Sequence, residues 1–250
     1  MINLALAESL FSLVLLLLAY FISATINGVI QTWVASKMGD DTPYEAGYGS
    51  FNPLVHFDVF SFLAVVLFRI GWPQMVPINP LSVIGRYRLV KLAVMHLTEA
   101  VVSLILALTA LVVSVGTFGH VMTMELVLKL FGYYAKSLTV LFSSTPHLNI
   151  ATVFQGNYST LSVIFAFLLI SLVYLNIFIA TISLILNGLR YALIIGFEKG
   201  YKYIEYADYL SFFGPFIIVY FFADPLGYYL LKTTIWGACK IALLFGAYHL

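Results

Sequence analysis

Apolar segments long enough to cross a bilayer, set against a shortage of charge, constrain this chain more than any motif it carries. A crossing helix needs about 20 mostly apolar residues. Residues 4–28 and 89–115 meet that length, and residues 161–197 exceed what one straight crossing uses at a rise of about 1.5 Å per residue. Hydrophobic residues make up 62% of the 250 positions and charged residues 9%, whereas soluble domains carry roughly 25% charge. Such a chain cannot clothe a core in polar side chains, so its fold class is an all-α polytopic membrane protein.

The remaining segments fill in the plan. Residues 57–69 are apolar but too short to cross, and 161–197 are expected to break at Asn187-Gly188, a turn signal inside an apolar run. Two more spans are expected at 209–222 and 226–248, separated by Asp224-Pro225, giving about six membrane helices. Residues 122–142 mix apolar positions with Glu125 and Lys129 at i, i+4, which suits an amphipathic helix lying in the interface better than a seventh crossing, the alternative. The N-terminal run lacks a basic flank and exceeds a signal core in length, so it is expected to be a retained helix. The whole is expected to form a single membrane domain, with parts at 1–117, 118–158 and 159–250.

Two stretches are irregular. Residues 38–56 are rich in Gly, Asp, Pro and Asn, and WPQMVPINP at 72–80 carries Pro73, Pro77 and Pro80, which excludes helix interior. A short irregular or β re-entrant element is expected there, because such backbone survives at membrane depth only when protein covers it. Arg69, Arg86, Arg88 and Lys91 cluster around it in sequence, and positive-inside bias would put that loop in the cytoplasm.

Several function classes are excluded. A formal net charge of +1 without a clustered basic face gives nucleic acid nothing to bind. The lone cysteine, Cys239, makes no internal disulfide and no multi-cysteine metal knuckle. No phosphate-cradling Gly-rich loop occurs, so no small-molecule cofactor is expected. The partners left are the lipid bilayer and other membrane proteins.

The irregular segments carry a resemblance. MGDDTPYEAGYGSFNPLVHFD at 38–58, then one short apolar helix, then GWPQMVPINP at 71–80 resembles the compact bacterial branch of the site-2 protease family, the intramembrane zinc metalloproteases. The matching positions are Gly39, Asp40, Thr42, Gly47, Asn52, Pro53, His56 and Asp58, then Gly71, Trp72, Val76, Pro77, Asn79 and Pro80, within a resemblance spanning about 22–103. It implies a site-2-protease-like core in 1–117 and a multi-pass place in a bacterial plasma (inner) membrane.

It also implies chemistry that this chain lacks. The family carries H-E-x-x-H, two imidazoles one turn apart on zinc with the glutamate as general base. Counting back from Gly39-Asp40, those positions fall on Asn27, Gly28 and Gln31. The family's third ligand, an Asp before Gly in a later helix, corresponds to Asn187 before Gly188. Its A-G-P-x-x-N helix motif aligns roughly with 94–99, where this chain reads VMHLTE. Neutral amides are weak zinc donors, and glycine supplies no base. The expectation is a degenerate site with no metal and no catalytic residue.

Glu99 falls deep in its span, with His96 one turn away at i, i+3. Three readings stay open: a hydrogen-bonded pair joining helices, a proton-sensitive or binding site, or a repurposed metal site with His56. Asn27, Gln31 and Asn187 are either an interhelical hydrogen-bond network or the remnant of a groove. If the family fold holds, these amides converge with His96 and Glu99 on one volume. His56 and Asp58 are read as fixing their loop. In similar proteases the region of Trp72, Pro73, Val76, Pro77 and Asn79 lies near the path of the substrate, so here it is a candidate to hold an extended partner segment by strand addition. The function expected is a pseudoprotease that binds or scaffolds partner transmembrane proteins, as a subunit of a membrane complex. Its rivals are an active intramembrane metalloprotease with non-standard ligands and a small proton- or ion-coupled transporter using Glu99.

Overall fold

The computed structural model describes residues 4–139 and 158–196, with Gly237 and Lys240. Three helices in it are long and apolar enough to cross a membrane: α1 (Leu4–Met38), α4 (Arg88–Phe118) and α6 (Thr160–Gly196). They mark a multi-pass integral membrane protein, with three candidate spans among the described residues instead of the six expected over the whole chain. The expected spans at 209–222 and 226–248, the Asp224-Pro225 turn and Cys239 lie outside the described residues.

The bundle forms because each long helix is apolar on all sides and buries one face against the other two, leaving the rest for lipid. α4 and α6 share the largest interface, and α1 packs on both. α4 runs opposite to the others: Gln31 of α1 meets Met95 while Asn27 meets Ser103, and Tyr191 near the end of α6 donates to the Leu89 carbonyl near the start of α4 at 3.1 Å.

α6 corrects one expectation. It continues unbroken through Asn187-Gly188 for 37 residues, about 55 Å at helical rise. Glycine inside a helix costs only about 1 kcal/mol. The Asn187 amide, which would favour a turn when free, is instead committed to Glu99 and Ser183 across and along the bundle. Interhelical bonding outweighs the local preference.

α5 (His120–Thr139) turns back after Gly119, whose φ of 76° suits glycine. Its apolar face sends Leu126, Leu130, Phe131 and Tyr134 into the main core beside Leu16, Tyr20, Phe167 and Tyr174. The Glu125–Lys129 pair forms on its outer side at 2.7 Å.

Between α1 and α4 the chain makes a hairpin of helix and extended segment. After α2 (Thr42–Glu45) and a 3-10 turn (Pro53–His56), α3 (Val59–Phe68) climbs along α1 from the level of Tyr20, whose hydroxyl bonds the Asp58 backbone, to the level of Ser9. There Arg69 ends the helix in the left-handed region, φ 60°, with Nη2 donating to Ser9 Oγ at 2.9 Å. Residues 70–80 then descend past the starting level of α3 to the end of α1. Gly71 makes the reversal possible, since a Cβ there would overlap Val65 and lie 3.3 Å from the Tyr20 ring. The descent ends where the Asn79 N–H donates to Asp40, just beyond α1.

Two further corrections follow. No strand occurs among the described residues, because Pro73, Pro77 and Pro80 remove the donors a ladder needs and the remaining bonds go to side chains and loop carbonyls. Arg69 does not cluster with Arg86, Arg88 and Lys91: it is anchored at the Ser9 end of the bundle, whereas Arg88 donates to the Pro80 carbonyl at the opposite end.

Candidate functional site

Helical spacing builds a ladder on α4. Met95, Glu99 and Ser103 stand at i, i+4 and i+8, hence on one face. Each takes a hydrogen bond from one of the three positions where the resemblance places a zinc ligand. Asn27 Nδ2 donates to Ser103 Oγ at 3.0 Å and to the Ser23 carbonyl at 3.0 Å, and Ser103 Oγ lies 3.2 Å from Asn27 Oδ1 in return. Gln31 Nε2 donates to the Met95 carbonyl at 3.2 Å. Asn187 Nδ2 donates to Glu99 Oε2 at 3.0 Å and to Ser183 Oγ at 2.8 Å. The three amides therefore gather along one strip of α4, spread over about 12 Å of helix.

Gly28 faces the loop instead. A Cβ built on it would overlap Nδ1 of His56 and lie 2.5 Å from Cε1, so the imidazole rests directly on the helix backbone. His56 is wholly buried. Its Nε2 is 2.8 Å from the Ser50 carbonyl, which can only accept, so Nε2 carries the proton. Among the described residues Nδ1 meets no hydrogen-bond partner. Tyr48 meets the same ring edge-on at 5.8 Å between centroids.

The residues that carry the resemblance mostly build this support. Asp40 is buried and bridges two loops, accepting from Thr42 N–H at 3.1 Å and Asn79 N–H at 2.7 Å. Asn52 caps the turn that delivers His56, and Asp58 caps α3 through the Ser61 N–H. Gln74 turns its amide nitrogen to the Val55 and Phe57 carbonyls, 3.1 and 2.9 Å away, and accepts from the Tyr48 hydroxyl at 2.9 Å. Burial, with the Asp58 charge adding to it, pushes the Tyr48 phenol above its ordinary range, which keeps it a donor.

In the extended segment, Trp72 packs with Ala64, Ile70, Phe178 and Ile182, while its N–H donates to Ser61 Oγ at 2.7 Å. Pro73 and Val76 are buried, Pro77 is exposed and Asn79 half-buried. Pro77 is thus the one exposed residue of 71–80.

His96 and Glu99 do not form the pair considered above. Glu99 accepts from Asn187, and among the described residues both ring nitrogens of the buried His96 lack a partner. Arg190 of α6 lies within electrostatic reach of both. A metal trio of His56, His96 and Glu99 is not assembled, since among the described residues no three His, Cys, Asp or Glu side chains are placed to share an ion. Sequence reasoning missed Ser23, Ser103, Asn176, Ser183 and Arg190. The available signal was that Ser23-Asn27 and Ser183-Asn187 are both i, i+4 polar pairs inside apolar runs, where any polar side chain needs a neighbour.

These residues do not fit a zinc ion. At each of the three ligand positions the amide nitrogen, a donor, is directed at a neighbour, the Asn27 oxygen takes the Ser103 hydroxyl, and the space beside Gly28 is filled by a ring. The fold and the site together define a class: an all-α membrane protein with three candidate spans, a hairpin of helix and extended segment, and three neutral amides hydrogen-bonded along one strip of α4. Among curated proteins the chain is similar to "Putative zinc metalloprotease YwhC" of Bacillus subtilis (strain 168), 31% identical over 64 residues. That match covers 26% of this chain and 29% of that protein, so it spans less than a third of the relative. No family model matches the chain, and no solved structure matches it.

Proposed function

We propose that this chain is a pseudoprotease of a bacterial inner membrane, which holds partner transmembrane segments in an unwound state without cutting them. The observation that carries the reading is the conversion of all three ligand positions into hydrogen bonds with α4. Partial similarity to a protein named as a zinc metalloprotease supports a shared scaffold. The exposed Pro77 offers an extended partner a place to lie, bounded by the buried Trp72 and Val76. The transporter reading gains nothing from the geometry, because Glu99 is committed to Asn187 beside the Arg190 charge instead of belonging to a chain of acids.

The test joins two measurements on the full chain. A photo-crosslinking side chain at Ile78 in native membranes is expected to capture one defined membrane protein of intact length, and metal analysis of the purified protein is expected to find far less than one equivalent of zinc. One tightly held equivalent, together with chelator-sensitive cleavage of the captured protein, would reverse the reading in favour of an active enzyme.

A further inference from the structure

We infer that the pocket is closed from within: the His56 ring occupies the space that a side chain at position 28 would need, so that what lies beside Gly28 is packed imidazole and not a water-filled notch. This rests on the reading of the chain as a pseudoprotease and deepens it, by stating what a bound partner meets. Two observations say that the space beside Gly28 is filled. The ring sits so close to Gly28 that even a methyl group at that position collides with it. The ring is wholly buried and tied at one nitrogen to the Ser50 carbonyl, which fixes its orientation.

The loop behind the ring holds it there. Asn52 caps the 3-10 turn on one side, and the Gln74 N–H donates to the His56 carbonyl at 3.3 Å on the other. The same Gln74 belongs to the extended segment, so the backbone that would receive a partner and the plug that closes the pocket are joined by one hydrogen bond. A partner laid along 70–80 therefore meets packed imidazole and helix backbone where a hydrolase would present water.

A double-mutant cycle tests this. Gly28→Ala is expected to lower the Tm of the detergent-purified protein by roughly 5 °C in the native background, as overpacking does. In a background already carrying His56→Ala the same substitution is expected to lower it by less than half as much. Equal shifts in both backgrounds, or no shift in the native one, would overturn the inference. Should Gly28→Ala fail to fold, recovery of a folded protein on adding His56→Ala supports it and no recovery counts against it. Nitrogen NMR on histidine-labelled native protein tests the ring's placement without any change at Gly28: the His56 Nε2 is expected to carry a proton held by a carbonyl. A ring without a proton on Nε2 would overturn the assignment. Crosslinking at Ile78 reads the partner and the cycle reads the packing, so either can fail without the other.

Discussion

At the residue scale, the Asn27–Ser103 contact is the clearest case of a buried amide that joins two helices. Its two side chains exchange hydrogen bonds across α1 and α4, far apart in sequence and buried from solvent. Such bonds contribute on average about 0.6 kcal/mol in membrane proteins, with a ceiling near 1.7. The cycle of Asn27→Ala and Ser103→Ala should give a coupling of about 1 kcal/mol by thermal unfolding; zero coupling would mean that the two side chains do not meet. Asp40→Ala should cost more, about 1–3 kcal/mol, because two backbone donors lose their acceptor at once. Its signature is faster proteolysis within 70–80, the segment that Asp40 ties down. Counting from Gly39-Asp40 singles out Asn27, Gly28 and Gln31 in the sequence. Their partners were not legible there, since Met95, Ser103 and His56 come from elements whose rotation and depth no local spacing reports.

At the element scale, α1 and α4 follow from their apolar length, whereas the ends and breaks do not. Asn187-Gly188 carries the same local signal whether or not α6 bends, and only the presence of Glu99 and Ser183 around Asn187 decides for a straight helix. This gives a prediction of opposite sign to the one at Gly28. Among the described residues a Cβ at Gly188 meets nothing within 4 Å, and Gly188 has no positive φ. Gly188→Ala should therefore stabilise the protein by about 0.5–1 kcal/mol, through helix propensity alone. A loss of Tm on that substitution would indicate a break at this point. The extended segment teaches a similar lesson. Its prolines exclude helix, but they also exclude the strand that irregular backbone beside a membrane helix invites, and what remains is a chain pinned at Trp72, Gln74 and Asn79 by isolated bonds.

At the scale of the whole molecule, the hairpin of α3 and residues 70–80 fixes which ends of the bundle lie together, and this is open to direct measurement. α4 starts beside Asp40 and Asn79, at the foot of α1, and ends beyond the level of Arg69 and Ser9, near its head. Leu81, just before α4, and Val121, just after it, should then open on opposite sides of the membrane, and both are exposed. With Cys239 replaced by serine, single cysteines at these two positions can be challenged in intact cells with a membrane-impermeant maleimide. Labelling is expected at one position only, and the other should react once the membrane is permeabilised. The positive-inside bias, taken from Arg86, Arg88 and Lys91 without Arg69, places Leu81 on the cytoplasmic side and so predicts that Val121 labels first. Labelling of both positions in intact cells would mean that α4 does not cross, and that the ladder of Met95, Glu99 and Ser103 lies outside the bilayer.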